Sequence, residues 1–463
     1  MKIVELEWNE PIAIADMLSK ERGFVFLDSS LSHFQLGRYS FIGIDPYSEI
    51  WTSEDGVFKD GTPISSDPFS ALRAEVERFP DKFLPELPPF QGGAIGYFSY
   101  DLCNCYERIQ AADRPRFPQS RNYHFGLYDL VVSFDQIEKR CWAIATGAQQ
   151  KDNRHPSMRM EMLLSRIKAI PAREKPTRGS FSPLWTSNFT RENYVQVVDR
   201  VKEHIRSGDI YQANISQRFE TPLPSDLDPW LHYKRLRTIN SATFGAFLRM
   251  GDIAIASSSP ERFLRIDNRS VETRPIKGTI RRDSDPVRDK ALRERLVGSE
   301  KERAENIMIV DLMRNDLSRS CVPNSIEVPS LCEIESYAGL HHLVSTVRGV
   351  LAEDKTAVDL ISDCFPGGSI TGAPKIRAMQ IIDEIERAGR GIYCGSIGYI
   401  GVGGQVDTNI AIRTITFRHN HATFNVGGAI TLLSDPDDEF EETLVKARKI
   451  FDSFDGGYDA RNY

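Results

Sequence analysis

The sequence permits an α+β fold, because it combines capped helices with strands of alternating polarity. Thr190 is a helix-capping residue followed by apolar side chains at helical spacing, and Gly208 is of the type that ends helices. Residues 210–219 alternate between polar and apolar side chains, which is the pattern of a strand. The chain has 463 residues and is 40% hydrophobic, so it can bury a large core, arranged as two or three domains or as one composite.

Composition argues against several function classes. The net charge of −7 and the lack of a long Lys/Arg block disfavour nucleic-acid binding. No stretch approaches the ~20 apolar residues of a membrane-spanning helix, and the N-terminus is acidic, so we expect a cytoplasmic protein. Seven scattered cysteines without a Cys-x-x-Cys pair indicate reduced thiols rather than disulfides or a zinc site.

The chain divides into three predicted regions, which are residues 1–150, 151–186 and 187–455. The first contains strands and turns, and its glycine-rich segment Gln91–Tyr100 lacks the spacing of a nucleotide-binding motif, so close sheet packing explains it adequately. The second combines a helix from Pro156 to Ile170 with a linker from Pro171 to Pro183 that is rich in Pro, Arg, Ser and Gly.

The third region contains most of the polar motifs. Its further predicted elements are a helix after the capping residue Ser299, a helix near Asp435, a glycine-rich turn Phe365–Lys375 that opens a helix, and a hairpin of strands Ile392–Val402 and Val406–Thr416. On the strand of residues 210–219, alternation places Gln212, Asn214 and Ser216 on one face, and a polar face on a core strand suggests the wall of a site.

Lys277 occupies a short extended segment, Thr273–Arg281, just before Gly278. Pro275 keeps the preceding residue extended, and a glycine lets a backbone or ligand come close. Taken alone, Lys277 is best interpreted as a solvated lysine at a strand end. A lysine becomes a nucleophile only where burial or a neighbouring cation lowers its pKa.

Several acidic residues also have two interpretations. Glu261 alone would be a surface glutamate, Glu302 a helix cap, and Glu442 with Lys446 a surface i,i+4 ion pair. Glu305 lies beside the apolar run 307–310, where a retained carboxylate is usually paired or bound to a metal.

The segments Ala256–Phe263, Pro275–Thr279 and Phe365–Lys375, in this order, resemble the motifs of the chorismate-utilising enzymes, which include anthranilate synthase component I. The resemblance extends from about Asn188 to Phe451 and, more loosely, through the first hundred residues. It implies a fold of two large antiparallel β-sheets in a sandwich with helices outside, and it makes residues 187–455 the chorismate-binding catalytic region.

The resemblance also implies roles for particular residues. Lys277 would be the nucleophile, and Glu261 would be the general acid that protonates the departing 4-hydroxyl of chorismate. Substrate-binding positions would be Arg413, Lys446, Thr371, Gly372, Tyr399, Gly427, Gly428, His342 and Gln212. Packing alone would also explain the composition around Thr371 and Gly372. Family members that add water have a basic lysine at the position of Gln212, and because glutamine cannot deprotonate water, ammonia is the expected nucleophile.

Mg²⁺ is the implied cofactor. By resemblance, Glu305 and Glu442 bind the ion, and Glu302 and Glu439 hold its waters. An all-oxygen ligand set suits magnesium, which would bridge to the ring carboxylate of the substrate.

A tryptophan pocket is a further implication of the resemblance. Asp28 and Ser29 lie in a segment similar to the Leu-Glu-Ser of the feedback-regulated anthranilate synthases, with a shorter acid. The other half of the pocket differs, because this chain has Asn240–Gly245 where those enzymes have Asn-Pro-Ser-Pro-Tyr-Met. Feedback by tryptophan is therefore not expected, and a residual site is the alternative.

The expected activity is conversion of chorismate and ammonia to 4-amino-4-deoxychorismate, for p-aminobenzoate and folate, through a covalent lysine intermediate. Anthranilate synthases have alanine at the position of Lys277, and anthranilate synthesis is the alternative; a non-catalytic regulatory subunit of the same fold is another. No cysteine lies in the Gly-x-Cys-x-Gly setting of glutamine amidotransferases, so ammonia should come from a separate glutaminase subunit.

Overall fold

The structure, a computed structural model, describes residues 1–31, 36–53, 55–65, 67–79, 82–107, 109, 121–147, 155–168, 183–336 and 339–454. Its strands, in chain order, are β1 (Lys2–Leu6), β2 (Val25–Asp28), β3 (Tyr39–Gly43), β4 (Ser48–Ser53), β5 (Gly56–Lys59), β6 (Thr62–Ser65), β7 (Gly93–Phe98), β8 (Tyr123–Tyr128), β9 (Leu130–Asp135), β10 (Arg140–Ala145), β11 (Thr186–Ser187), β12 (Gln212–Pro222), β13 (Phe244–Met250), β14 (Ile253–Ser259), β15 (Arg262–Asp267), β16 (Ser270–Thr273), β17 (Ile276–Arg281), β18 (Glu327–Ser336), β19 (Leu340–Val350), β20 (Gly372–Ala373), β21 (Ser396–Gly401), β22 (Val406–Asn409), β23 (Thr414–Arg418) and β24 (His421–Ile430).

The helices are α1 (Pro11–Leu18), α2 (Pro68–Val76), α3 (Pro156–Lys168), α4 (Arg191–Arg206), α5 (Pro229–Ile239), α6 (Pro286–Val297), α7 (Glu300–Ser318), α8 (Ala357–Cys364), α9 (Lys375–Glu386) and α10 (Pro436–Ser453). Short 3-10 turns lie at Tyr100–Cys105 and Gly368–Ile370.

The strands form two antiparallel sheets, each of 12 strands within the described residues. The first sheet has the order β1-β10-β9-β3-β2-β13-β14-β23-β24-β12-β11, with β20 also paired to β12. The second has the order β17-β19-β16-β15-β22-β21-β7-β8-β4-β5-β6, with β18 also paired to β19. Each sheet takes strands from residues 1–150 and from residues 187–455, so both sheets run across the predicted boundary between these regions.

The sheets pack face to face around an apolar layer to which both contribute. Trp142 and Leu248 come from the first sheet, and Ile95 and Ile397 come from the second. Helices cover the outer faces: α1, α3, α5 and α10 pack on the first sheet, and α2, α7 and α8 pack on the second. The predicted α+β sandwich with helices outside is confirmed.

The predicted helix starts agree with the structure, because each capping side chain accepts a backbone N–H at its helix start. Thr190 accepts from Asn193, Ser299 from Glu302, and Asp435 from Asp437 and Asp438. The helix predicted from Pro156 ends at Lys168, and residues 169–182, which hold nearly all of the predicted linker, lie outside the described residues.

Two predicted elements differ from the structure. The helix after the glycine-rich turn begins only at Lys375, so Thr371 and Gly372 precede it and Gly372 belongs to the short strand β20. The predicted hairpin is real but shorter, since β22 ends at Asn409 and pairs with β21 only as far as Thr408. The chain passes from one sheet to the other within residues 410–416, and the side-chain pattern of the sequence does not reveal this change.

All seven cysteines lie among the described residues, and none of them forms a disulfide bond. None of the described helices is long and apolar enough to cross a membrane.

A buried ion pair supports the segment between α8 and α9. The Arg390 guanidinium donates two hydrogen bonds to Glu386, at 2.9 and 2.7 Å, and others to the carbonyls of Ile370 and Asn214, at 3.0 and 2.5 Å. The side chains of Arg390 and Glu386 are 1% and 4% exposed. This arginine therefore ties α9, β12 and the turn Gly368–Ile370 together.

We expect Arg390→Met to lower the free energy of unfolding by about 3–5 kcal/mol, because it leaves the Glu386 carboxylate buried without its partner. The double variant Arg390→Met/Glu386→Met should lose less, since both charges are removed. Urea denaturation measures both. A double variant less stable than the single one would contradict this account.

Candidate active site

Two chain crossings between the sheets position the first pair of polar residues. Glu261 lies between β14 of the first sheet and β15 of the second, and Arg413 lies between β22 of the second and β23 of the first. The crossings bond to each other: the Ile410 N–H donates to the Glu261 carbonyl at 3.0 Å, and the Ser258 N–H donates to the Arg413 carbonyl at 3.1 Å. Both residues therefore lie at the ends of central strands, where the chain passes between the two sheets.

Lys277 extends from β17 toward the same place. Its Nζ donates a hydrogen bond of 3.0 Å to the backbone carbonyl of Ser369, in the 3-10 turn Gly368–Ile370. Gly278 follows with φ +82°, and a Cβ there would lie 3.0 Å from a carboxylate oxygen of Glu302. A glycine is thus required both by the backbone conformation and by the close approach of α7.

Glu261 is 6% exposed, and burial raises the pKa of its carboxyl. The Ser369 hydroxyl, by a side-chain hydrogen bond, and the charges of Lys277 and Arg413 act in the opposite direction without cancelling the increase. A carboxyl with a raised pKa keeps its proton at higher pH, which suits a proton donor.

Arg413 provides a positive charge beside Glu261. Burial lowers the pKa of its guanidinium, and the Glu261 carboxylate opposes that shift. Within the described part of the chain, its side chain makes no hydrogen bond or ion pair. A partly buried guanidinium that makes no ion pair is suited to a carboxylate ligand.

His342 is the inner of the two adjacent histidines on β19. Thr279 Oγ1 lies 2.7 Å from its Nδ1, and burial, together with the nearby charge of Arg413, lowers its pKa to about 4. His341 points elsewhere, toward Asp289 and Ser336. Alternation along the strand separates the two rings, as predicted, and leaves a neutral His342 near Arg413.

The acidic residues of α7 and α10 face each other across two lysines. Burial raises the pKa of Glu305, which the charge of Lys277 lowers and that of Glu302 raises. Burial also raises the pKa of Glu439, and Lys301 Nζ lies 3.7 Å from its carboxylate. The two helices thus bring buried carboxylates together from residues more than a hundred positions apart.

Glu442 is the acid of this cluster with a lowered pKa. Burial raises the pKa of Glu442. The charges of Lys446, whose Nζ lies 2.7 Å from the carboxylate, and of the more distant Lys301 and Lys277 lower this pKa by more than burial raises it. Lys446 Nζ also donates to the Gly427 carbonyl at 2.8 Å. The i,i+4 pair of Glu442 and Lys446 is therefore present, and its side chains are 49% and 40% exposed.

The four glutamates suit a magnesium ion by their donor chemistry, since all offer carboxylate oxygens. No three His, Cys, Asp or Glu side chains among the described residues converge closely enough to form a complete metal site. Mg²⁺ is usually held by one or two carboxylates together with substrate and water, so the arrangement is compatible with an ion completed by the substrate.

Gln212, Thr371 and Gly372 form the wall next to Ser369. Gln212 pairs with β20, and a Cβ on Gly372 would lie 2.3 Å from its carbonyl oxygen. The Thr371 hydroxyl donates to the Gly367 carbonyl at 3.1 Å. The Gln212 side chain is buried, and its Oε1 has no hydrogen-bond partner among the described residues.

Gly427 and Gly428 lie on β24, where β12 and α10 come close to the backbone. A Cβ on Gly427 would lie 2.3 Å from the Ile215 carbonyl, and one on Gly428 would lie 3.0 Å from a Glu439 carboxylate oxygen. At these two glycines, therefore, β12 and the acidic helix α10 of the protein itself come close to the backbone.

Tyr399 is not brought to this site. Its ring packs in the apolar layer between the sheets, with centroids 5.3 Å from Phe41 and 5.0 Å from Phe90. The charged groups that act on its hydroxyl are residues of β15 and β22, with Asp407 first. Strand alternation gives the face of Tyr399 but not which of the two faces lines the substrate cleft.

Asp28 and Ser29 are held by protein partners. Arg237 Nε lies 2.5 Å from the Asp28 carboxylate and the Tyr233 hydroxyl 3.0 Å from it, while Ser29 Oγ donates to the carbonyls of Tyr39 and Thr243. Both polar groups already have hydrogen-bond partners within the chain.

Four site residues were absent from the sequence-based set: Ser369, Thr279, Lys301 and Ser434. Ser369 and Thr279 belong to the glycine-rich turn and to the Lys277 segment, and Lys301 lies in the first turn of the predicted α7. Their positions in these motifs were a signal, but their contacts depend on residues distant in sequence.

The fold and this cleft define a class of protein: the chain belongs to the chorismate binding enzyme family, which matches residues 24–452. It is 39% identical over 426 residues to aminodeoxychorismate synthase component 1 of Salmonella typhimurium, covering 89% of each chain, and 37% identical to that of Escherichia coli, covering 97% of each. It is also 35% identical to anthranilate synthase component 1 of Thermus thermophilus, over 95% of this chain and 94% of the relative.

Solved structures agree with the fold. Anthranilate synthase component I from Streptococcus pneumoniae superposes with a TM-score of 0.79 at 31% identity, covering 89% of this chain and 91% of the other. The menaquinone-specific isochorismate synthase MenF of Escherichia coli shares the fold with a TM-score of 0.71 at 16% identity, covering 98% of this chain and 94% of the other.

The raised pKa of Glu261 gives a pH-dependent prediction. The folded protein holds this proton to higher pH than the unfolded chain, so ionised Glu261 costs stability as pH rises through its folded pKa. Glu261→Gln should therefore be more stable than the wild type at pH 8, and the difference should vanish below the ordinary glutamate value of 4.5. Urea unfolding at several pH values measures this.

Glu272→Gln is the matched control with the opposite sign. Burial raises the pKa of Glu272, but Arg262 and Arg348 lower it below its ordinary value, so this variant should lose stability at neutral pH and recover as pH falls. Equal effects of Glu261→Gln at pH 4 and pH 8 would show that the Glu261 proton is not involved.

Proposed function

We propose that this chain is the synthase subunit that converts chorismate and ammonia to 4-amino-4-deoxychorismate in the cytoplasm, for p-aminobenzoate and folate. The observation that carries the proposal is that Lys277, whose Nζ donates to the Ser369 carbonyl, lies close enough to the buried Glu261 carboxyl for its charge to act on it, in a cleft of a chorismate binding enzyme. Among its relatives, several are named aminodeoxychorismate synthase component 1.

Substrate binding follows from the charges of the cleft. Chorismate is a dicarboxylate, and Arg413 offers a partly buried guanidinium that makes no ion pair for the enolpyruvyl carboxylate. The ring carboxylate would lie toward Lys446 and the acidic residues of α7 and α10. Magnesium held by Glu305 and Glu442 would supply Lewis acidity and charge neutralisation there.

In the first step, the nitrogen lone pair of Lys277 attacks C2 of chorismate. The N–C2 bond forms, the two conjugated ring double bonds each shift by one position, and the C4–O bond breaks. Glu261 gives its proton to the departing oxygen, which leaves as water. The raised pKa of Glu261 keeps this proton available.

In the second step, ammonia attacks C4, the double bonds shift back, and the N–C2 bond breaks to release Lys277. The net reaction replaces the 4-hydroxyl by an amino group and releases one water. Because the chain lacks the cysteine setting of a glutaminase, we propose that a glutamine amidotransferase subunit supplies the ammonia.

Anthranilate synthesis is the second candidate, since relatives of comparable similarity are named anthranilate synthase. In that reaction ammonia itself attacks C2, and no lysine nucleophile is needed. Incubating the chain with chorismate, Mg²⁺ and an ammonium salt near pH 8.5, with and without aminodeoxychorismate lyase, separates the two. p-Aminobenzoate formed only with the lyase supports the proposal, and anthranilate as the main product refutes it.

We expect Lys277→Ala to abolish aminodeoxychorismate formation, because no nucleophile remains for C2, and to leave at most some anthranilate. Lys301→Ala, which removes a lysine from the same cleft without removing the nucleophile, should retain the wild-type product. Chromatography of the products measures both. Full activity of Lys277→Ala would rule out the covalent mechanism.

We expect Glu305→Gln to raise the Mg²⁺ concentration for half-maximal activity by about 10-fold or more, because a carboxylate ligand is lost. Glu441→Gln is the control, since Glu441 lies beside Glu442 but forms an exposed ion pair with Arg191. A magnesium titration of initial rates gives the result. An unchanged magnesium requirement in Glu305→Gln would remove this residue from the ligand set.

A further inference from the structure

Lys375 ends the glycine-rich motif and begins α9, and it takes no part in the two proposed steps. Its Nζ donates a hydrogen bond of 2.6 Å to the Asp316 carboxylate on α7. It donates a second one, of 2.9 Å, to the carbonyl of Cys364, the last residue of α8. Lys375 therefore joins the two ends of the connection between α8 and α9, residues 365–374, and attaches them to α7.

This connection holds the proposed nucleophile through its backbone. The carbonyl of Ser369 accepts the hydrogen bond of 3.0 Å from Lys277 Nζ. Because a hydrogen bond follows the direction of the carbonyl, the position of Nζ depends on the backbone conformation of the connection. A displacement of about 1 Å in a reacting group can cost on the order of 10²-fold in rate, so this conformation matters for the attack on C2.

Helix α7 carries acidic residues of the cleft and also contacts the connection. Glu305 lies in the first half of the helix, and further along a Cβ on Gly368 would lie 2.6 Å from the Met313 side chain. Asp316 lies about one turn beyond Met313 and bonds to Lys375. The ion pair therefore fixes the connection relative to the helix that carries Glu305.

Other contacts hold the middle of the connection rather than its ends. The Arg390 guanidinium donates to the carbonyl of Ile370, and the Thr371 hydroxyl donates to the carbonyl of Gly367. These contacts remain when Lys375 is replaced. We therefore expect a Lys375 variant to keep the path of the connection and to lose the exact placement of its ends.

We propose that Lys375 is a positioning residue of the reaction. Its two hydrogen bonds fix the ends of the connection, whose Ser369 carbonyl then sets the Lys277 amine for the attack on C2. This inference deepens the proposed function and rests on it.

We expect Lys375→Met to lower kcat about 10-fold or more, because the Lys277 amine is no longer held at C2. The KM for chorismate should change less than about twofold, since Arg413 and Lys446, which are proposed to meet the substrate carboxylates, keep their places. Lys375→Arg should restore part of the rate, because a guanidinium can donate both to Asp316 and to a carbonyl. Initial rates at varied chorismate concentrations give both constants.

The double variant Lys375→Met/Asp316→Leu separates position from stability. Lys375→Met alone leaves the Asp316 carboxylate, 6% exposed, without its partner, and this lowers the free energy of unfolding. The double variant removes both charges and should regain most of that stability. It should not regain kcat, because no group then donates to the Cys364 carbonyl. A stable double variant with the wild-type kcat would overturn the proposal.

Lys59→Met is the matched control. Lys59 Nζ lies 2.6 Å from the Glu75 carboxylate, and these side chains are 18% and 5% exposed, against 13% and 6% for Lys375 and Asp316. The control pair joins β5 to α2, and β5 lies toward the opposite end of the second sheet from β17. Lys59→Met should keep the wild-type kcat whatever stability it loses. An equal fall of kcat in both single variants would show that stability, not position, is the cause.

Hydrogen exchange tests the connection without turnover. The N–H groups of Asn214 and Tyr211 donate to carbonyls of the connection, at 2.8 and 2.7 Å. Both amides should exchange faster in Lys375→Met than in the wild type, and they should not in Lys59→Met. If the wild type makes no aminodeoxychorismate, the proposed function fails while exchange still tests what Lys375 holds. Unchanged exchange of both amides in Lys375→Met would overturn the positioning role itself.

Discussion

The active cleft depends on how the chain passes between the two sheets. The chain passes from the first sheet to the second between β14 and β15, and it returns to the first between β22 and β23. Backbone hydrogen bonds join these two crossings. Glu261 and Arg413 lie in these two crossings, so an acid and a cation are placed side by side by backbone hydrogen bonds rather than by side-chain contacts. A cleft built at the edge of a packed sandwich can be both buried and open to a ligand.

The turn between α8 and α9 makes the second contribution. The buried pair of Arg390 and Glu386 fixes this turn against β12, and the turn then presents Ser369 to Lys277 and Glu261. A buried ion pair adds little stability on average because of the desolvation it requires, but it determines geometry when all of its donors are satisfied. In this protein the ion pair orients a short segment that contains glycine.

The balance of charge in the cleft explains how a protein with net charge −7 can bind a dianion. Lys277, Lys301, Lys446 and Arg413 are grouped together, and the acids of α7 and α10 lie among them. A substrate carboxylate meets local cations, whereas a divalent cation meets local carboxylates. Net charge therefore indicates little about this site, and the local arrangement decides which ligands are favoured.

Much of the site follows from the sequence, because local patterns are sufficient for some of its features. Capping at Thr190, Ser299 and Asp435 depends on neighbouring residues, and the motif around Lys277 is contiguous, so both were predicted. The position of the Tyr399 ring in the apolar layer could not be predicted, since alternation along a strand gives two faces but does not identify which one meets the other sheet.

The sequence by itself determined the α+β class, the helix starts and the residue types needed for chorismate chemistry, because each depends on short stretches of chain. Only the tertiary structure decided that Lys277 Nζ reaches the Ser369 carbonyl and that the charge of Glu439 acts on Glu305. These contacts join residues about a hundred or more positions apart, and their geometry depends on the packing of two sheets and the helices on their outer faces. No local pattern specifies such distances.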